Sequence, residues 1–131
     1  MVESYRDLIA WQKAMDLVAN VYLATLTLPD AERFGLVSQL RRAAVSVPSA
    51  LAEGHSRGAT REFVRYISIA MGSLAEIETQ LLICRKLEYL KDADVHELLE
   101  SCSEQSRILS GLKRSLTSRL RCAPSSLVPS P

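Results

Sequence analysis

The sequence predicts an all-α protein, an antiparallel up-down-up-down four-helix bundle, and three observations carry that prediction. Four long segments repeat apolar residues at steps of three and four. Gly and Pro number only five each, with Pro124, Pro129 and Pro131 in the last eight residues. The connections between segments are a few residues long, which favours antiparallel neighbours crossing near ~20°. Strand and turn chemistry is scarce.

A chain of 131 residues is long enough to bury roughly two thirds of its unfolded surface in one core. Its 47% hydrophobic and 24% charged residues are globular values and exclude wholesale disorder or a fibrous repeat. The N-terminus lacks a basic-then-apolar leader and no apolar run approaches ~20 residues, so a soluble, cytoplasmic protein without a membrane partner is expected. Cys84, Cys102 and Cys122 are odd in number and widely spaced. They suit neither a disulfide framework nor a CxxC pair, and two of them read as core residues.

The first segment, Leu8 to Leu28, places Leu8, Trp11, Met15, Val18 and Tyr22 on one helical face behind a Ser4–Asp7 capping box. A second row, Ala14, Leu17, Val21, Ala24 and Leu28, runs beside it. The first row is expected to face the core and the second another copy of the chain. Pro29 ends the run. The second segment, Gly35 to Glu53, carries Leu36, Leu40, Ala43, Val47 and Leu51 on one face, with Val37, Ala44 and Pro48 as a surplus strip. Apolar phase continues past Pro48, which predicts one helix kinked there; two shorter helices meeting at Ser46–Pro48 are the alternative. Gly54 and Gly58 mark the following connection.

The third segment, Thr60 to Leu90, repeats Phe63, Ile67, Ala70, Leu74, Ile77, Leu81 and Cys84 without a break. Gly72 and Ser73 inside it suggest close approach by another backbone. The fourth, Asp94 to about Leu120, has an Asp94–Glu97 capping box and a seam of Val95, Leu98, Cys102, Leu109, Leu112 and Leu116 that only Gln105 interrupts. Residues 1–122 are thus expected to form the bundle domain. Residues 123–131, APSSLVPSP, read as a disordered tail.

The net charge of +1 conceals a strong division: residues 69–104 hold three basic and eight acidic groups, and residues 105–131 hold five basic and none acidic. Up-down topology would gather Arg57, Arg61, Arg65, Arg114, Arg119 and Arg121 at one end of the bundle. These six are the candidate nucleic-acid-binding residues, because Lys and Arg neutralise phosphates. A solvated surface with complementary ends is the plainer account. Arg41 and Arg42 count as level with Ser73 and Leu74, within a turn of Glu76 and Glu78, and predict interhelical or intersubunit ion pairs. Glu53 is placed to pair with Arg57 or to cap the next helix.

No catalytic, cofactor or metal site is predicted. A di-iron bundle site needs Glu three residues before His, and here Ala52 precedes His55 and Ala93 precedes His96. The glycines form no phosphate-cradling motif.

The segments YRDLIAWQKAMDLV, FGLVSQLRRAAVSVPSALAEGHSR and EFVRYISIAMGSLAEIETQL resemble the four-helix-bundle proteins first noticed in intervening sequences of bacterial large-subunit ribosomal RNA genes. Trp11–Gln12–Lys13, Gln39–Leu40–Arg41–Arg42–Ala43 and Ala52–Glu53–Gly54 are its most specific parts. The resemblance implies a bundle that assembles into ring-like homo-oligomers, pentamers in known cases, without established enzymatic activity. A similar group, the accessory proteins of diversity-generating retroelements, binds a reverse transcriptase and nucleic acid through a basic surface, and this chain lacks so basic a balance.

The functional expectation is a non-enzymatic homo-oligomeric adaptor or scaffold that presents a repeated surface to a protein or RNA. The alternative is nucleic-acid binding through the basic end, and a third class is a small-molecule enzyme with a site between subunits. Self-contacts are expected on the first two helices, where Glu at Val21 and Val37 should dissociate the assembly.

Overall fold

A computed structural model describes the backbone of residues 4–127 and the side chains through Cys122. A 3-10 turn, Tyr5–Asp7, precedes α1 (Ile9–Thr25); a second, Asp30–Glu32, precedes α2 (Leu36–Ser56). The chain continues with α3 (Thr60–Lys86) and α4 (Asp92–Leu127). Each helix packs on its neighbours in sequence, and α4 returns to α1, which closes a four-helix bundle.

The antiparallel register of α2 on α3 is written in three polar contacts. Gln80 Nε2 donates to Gln39 Oε1 at 3.4 Å, the Ser46 and Ser73 hydroxyls lie 2.6 Å apart, and Tyr66 Oη donates to Glu53 Oε2 at 3.0 Å. Each step of seven residues up α2 matches a step of seven back along α3, the spacing of a coiled-coil seam. Between the rungs lie small residues, Ala43, Ala50 and Ala70, and just beyond the last lies Gly54, which together let the two backbones approach. A Cβ on Gly54 would fall 2.5 Å from the Tyr66 Cβ, so this position excludes any side chain. Gly54 is therefore a buried residue inside α2. The connection expected to begin there begins instead after Ser56 and turns on Gly58, at φ +81°.

Leu40, Leu51, Ile67, Leu74, Ile77, Leu81, Val95 and Leu109 are buried at the centre, as the apolar seams of the last three segments predict. Helix α1 departs from expectation. Its core row is Ala10, Ala14, Leu17 and Val21, extended past the helix end by Leu28, while Met15 and Tyr22 are 45% and 40% exposed. The second row takes the centre because its small residues let α1 sit deep between α2 and α4, while Leu8, Trp11 and Val18 of the first row pack half-buried at the edge of the core and Met15 and Tyr22 face outward. Val21 is 1% exposed, so it belongs to the core of the single chain rather than to a contact between copies.

Boundaries moved for local reasons. The Ser4–Asp7 box caps the 3-10 turn, and α1 starts two residues later, at Ile9. Helix α2 runs unbroken across the buried Pro48, so the segment is one helix. Helix α4 opens at Asp92, ahead of the expected Asp94 cap, with both carboxylates in a first turn where the helix dipole favours them. It continues to Leu127, so residues 123–127, expected in the tail, belong to its backbone, and residues 128–131 lie outside those described. Gly72 is not a close-approach site, since a Cβ there would meet nothing within 4 Å; the neighbouring Ser73 makes the contact. Helix α3 is long and apolar enough to cross a membrane by length and composition, where the sequence reading finds no such run. Packing on α2 and α4 buries one face of it, and Ile69, Leu82 and Ile83 on the same helix stay at least 40% exposed.

Candidate functional site

Two surface features and one interior one carry most of the polar chemistry of the bundle. The first is the outer flank shared by α1 and α2. Arg41 Nε donates to Thr25 Oγ1 at 2.9 Å, Nη2 lies 3.4 Å from the Tyr22 carbonyl, and the guanidinium stacks over the Tyr22 ring at 4.4 Å. Thr25 also donates to the Val21 carbonyl at 2.9 Å, so Arg41 is held by a hydroxyl already fixed to α1. Arg41 thus ties α2 to α1, not to α3 as expected. The Ser46–Ser73 rung sets α2 residues 41 and 42 opposite positions near 77 and 78, a turn beyond the predicted level. Among the described residues no ion pair joins Arg41 or Arg42 to Glu76 or Glu78. Glu78 lies on the α4 side of α3, beside Ser106 and Arg107.

Tyr22 shares its face of α1 with Trp11, Met15 and Val18, and Val45 lies one turn after Arg41 on α2, 41% exposed. An apolar strip therefore runs along the α1–α2 flank, with the Arg41 guanidinium over its Tyr22 ring.

The second feature is the α2–α3 end. Glu53 accepts from Arg57 Nη2 at 3.0 Å and from the Tyr66 hydroxyl at 3.0 Å, which together hold its carboxyl below the ordinary range, the Arg57 bond contributing most. Arg65 lies 3.4 Å from Glu62 and stacks on Tyr66 at 4.6 Å; Arg57 stacks on the same ring at 5.2 Å. Hydrogen bonds to Glu53 and Glu62 raise the pKa of Arg57 and Arg65 respectively. Two of the six expected phosphate contacts are therefore matched to carboxylates of the same chain. Tyr66, which organises the cluster, escaped the sequence reading; its seven-residue offset from Ser73 is the signal that could have found it.

The remaining four basic candidates do not form one site, and only Arg114 and Arg121 share a cleft. Arg119 borders a cleft of about 550 Å³ at the bundle end, with Leu8, His55, Phe63 and Leu116. Arg114 and Arg121 line a cleft on the other side of α4, with Met71, Lys113 and Thr117. Arg61 is exposed on α3. The expected basic end is thus divided among separate faces.

In the interior, Gln105 is 2% exposed and its Nε2 donates to the Ala10 carbonyl at 2.8 Å, which fixes α4 to the start of α1. Burial pushes the Cys102 thiol up to about 12, with a smaller push from Glu78, and raises that of Cys84. Thiols so protonated are poor nucleophiles. Among the described residues no three His, Cys, Asp or Glu side chains gather to hold a metal ion.

Comparison with known proteins agrees with this architecture. A crystal structure from Bacteroides thetaiotaomicron, described as a protein with unknown function from the S23 ribosomal protein family, is similar at a TM-score of 0.72 and 16% identity. The similarity covers 80% of this chain and 98% of that one. At that identity it speaks to the fold. No curated protein matches the chain significantly. The sequence model of the family described as 23S rRNA-intervening sequence protein matches residues 6–111, from the 3-10 turn through most of α4, and on that match the chain belongs to this family.

Proposed function

We propose that the protein is a non-enzymatic homo-oligomeric scaffold that assembles through the α1–α2 flank and presents a repeated surface to a protein or RNA partner in the cytoplasm. The observation that carries this reading is the exposed trio of Met15 and Tyr22 on α1 and Val45 on α2, each at least 40% exposed, with Trp11 and Val18 on the same face of α1 half-buried against the core. Contiguous apolar strips of this kind mark interaction sites on soluble proteins. Tyr and Met beside an Arg are the residue types enriched at the centres of interfaces.

A closed ring is the arrangement that keeps heterologous contacts from running on as filaments, and the family resemblance favours five subunits. The non-enzymatic part of the reading rests on the sequence, which offers no nucleophile beside a base. One cleft, of about 680 Å³, is an open turn surface lined by Thr27, Arg85, Glu88 and Tyr89. Sedimentation velocity at micromolar concentration tests the reading. A single species several times heavier than the chain supports it, and a monomer across the whole concentration range overturns it.

A further inference from the structure

The α4 face that looks away from the α1–α2 flank carries a cationic line. Arg107, Arg114 and Arg121 recur every seven residues, so their Cα atoms follow one edge of the helix about 10.5 Å apart. Lys113 joins them in a cleft of about 350 Å³ that continues past Ser110 into a second of about 400 Å³ beside Arg107. Hydroxyls of Ser110 and Thr117 stand between the cations, and Ser103 and Ser106 line the cleft beside Arg107.

Neither the helix dipole nor internal pairing accounts for this line. The dipole favours cations within the last turn, and α4 ends at Leu127, more than one turn beyond even Arg121. Glu78 is the one carboxylate lining either cleft, and among the described residues it forms no ion pair with Arg107 or Arg114. Arg107 Nη1 donates to Ser103 Oγ at 2.9 Å, which holds one guanidinium toward the groove and leaves its other donors for a ligand. Arg57 and Arg65, by contrast, are bonded to carboxylates.

We propose that the Arg107–Arg114–Arg121 edge of α4, with Lys113, is a contact site for the phosphate backbone of a nucleic-acid strand. Guanidinium forks with interspersed Ser and Thr hydroxyls are the groups that bind phosphate oxygens. A protein partner would need apolar anchors at the centre of its contact, and Met71 is the one apolar side chain lining these clefts. The absence of an aromatic platform in the groove makes the site one for backbone rather than for stacked bases. It lies apart from the proposed assembly flank, so each copy in an oligomer presents it independently, and the inference stands whether or not the protein assembles.

The test is fluorescence anisotropy of a labelled single-stranded RNA against the full chain at rising salt. Four cations on a single strand give a log–log slope near −2.8, so affinity falls about 50-fold between 50 and 200 mM salt. The triple variant Arg107→Gln, Arg114→Gln, Arg121→Gln, checked for helicity by circular dichroism, is expected to leave a slope near −0.7 and a change of about 3-fold. Arg114→Gln alone makes the slope shallower by about 0.7 and serves if the triple variant does not fold. The control Arg57→Gln, Arg65→Gln keeps the slope of the parent. Absence of binding at 50 mM salt overturns the proposal, as does equal loss in the two multiple variants, which would indicate diffuse charge. Tighter binding of polyglutamate than of RNA would overturn it in favour of an acidic protein partner.

Discussion

The Cα of Gly54 faces the Tyr66 side chain so closely that a single added carbon would lie 2.5 Å from the Tyr66 Cβ and 3.3 Å from the Phe63 ring. Backbone and Cβ atoms cannot yield as the end of a flexible side chain does. Gly54→Ala therefore forces α2 and α3 apart at this point, despite the better helix propensity of Ala, and costs about 1–3 kcal/mol. A urea midpoint equal to or above that of the parent would show that the helices are not so tightly joined.

Leu109 is fully buried where α4 meets the centre of the bundle. Leu109→Ala removes its contacts and leaves a cavity, with an expected loss of about 2–5 kcal/mol in chemical denaturation. Less than ~1 kcal/mol would mean that this face of α4 does not form the core.

Glu88 closes α3 with φ +61°, in the left-handed conformation that suits Gly after a helix, while the Tyr89 amide donates to the Cys84 carbonyl at 2.8 Å. Glu88→Gly relieves that strain at the cost of a more flexible unfolded chain, and the net expectation is a gain of about 0.5–1 kcal/mol. Destabilisation would mean that the Glu88 side chain contributes a contact outweighing the strain.

Glu53 has its pKa lowered by Arg57 first and Tyr66 second. A carboxylate depressed in the folded state stabilises above its unfolded pKa, and that contribution disappears as pH falls through the folded value. The melting temperature of the parent should consequently drop more steeply than that of Glu53→Gln as pH is taken below the ordinary carboxylate range. Because the group is exposed, added salt should shrink the difference. Parallel pH profiles would remove Glu53 from any part in acid sensitivity.

Fold class was legible because α3 turns one uninterrupted seam inward and α4 one that only Gln105 interrupts, and Leu74, Ile77 and Leu109 lie where periodicity puts them. Helix α1 was harder to read, since two apolar rows of similar length lie side by side and periodicity does not rank them. Residue size decides: Ala10, Ala14 and Leu17 fit the narrow gap between α2 and α4, and Trp11 and Tyr22 do not. The position of Arg41 depends on a register that a loop count missed by about one turn, and its real partners, Thr25 and Tyr22, belong to another segment. The cationic edge of α4 was visible in the seven-residue recurrence of Arg107, Arg114 and Arg121. Grouping charges by bundle end concealed it, because topology assigns residues to ends while helical phase assigns them to faces.

Assembly through the α1–α2 flank is tested most directly by light scattering coupled to size exclusion, comparing the parent with Met15→Glu, Val45→Glu. Both positions are more than 40% exposed, so charge there leaves the core of the single chain intact. The expected result is a parent mass several times the 14.5 kDa of one chain and a double variant at that single-chain mass, with an unchanged helical signal. A parent eluting at 14.5 kDa, or a folded double variant that keeps the full assembly, would contradict it.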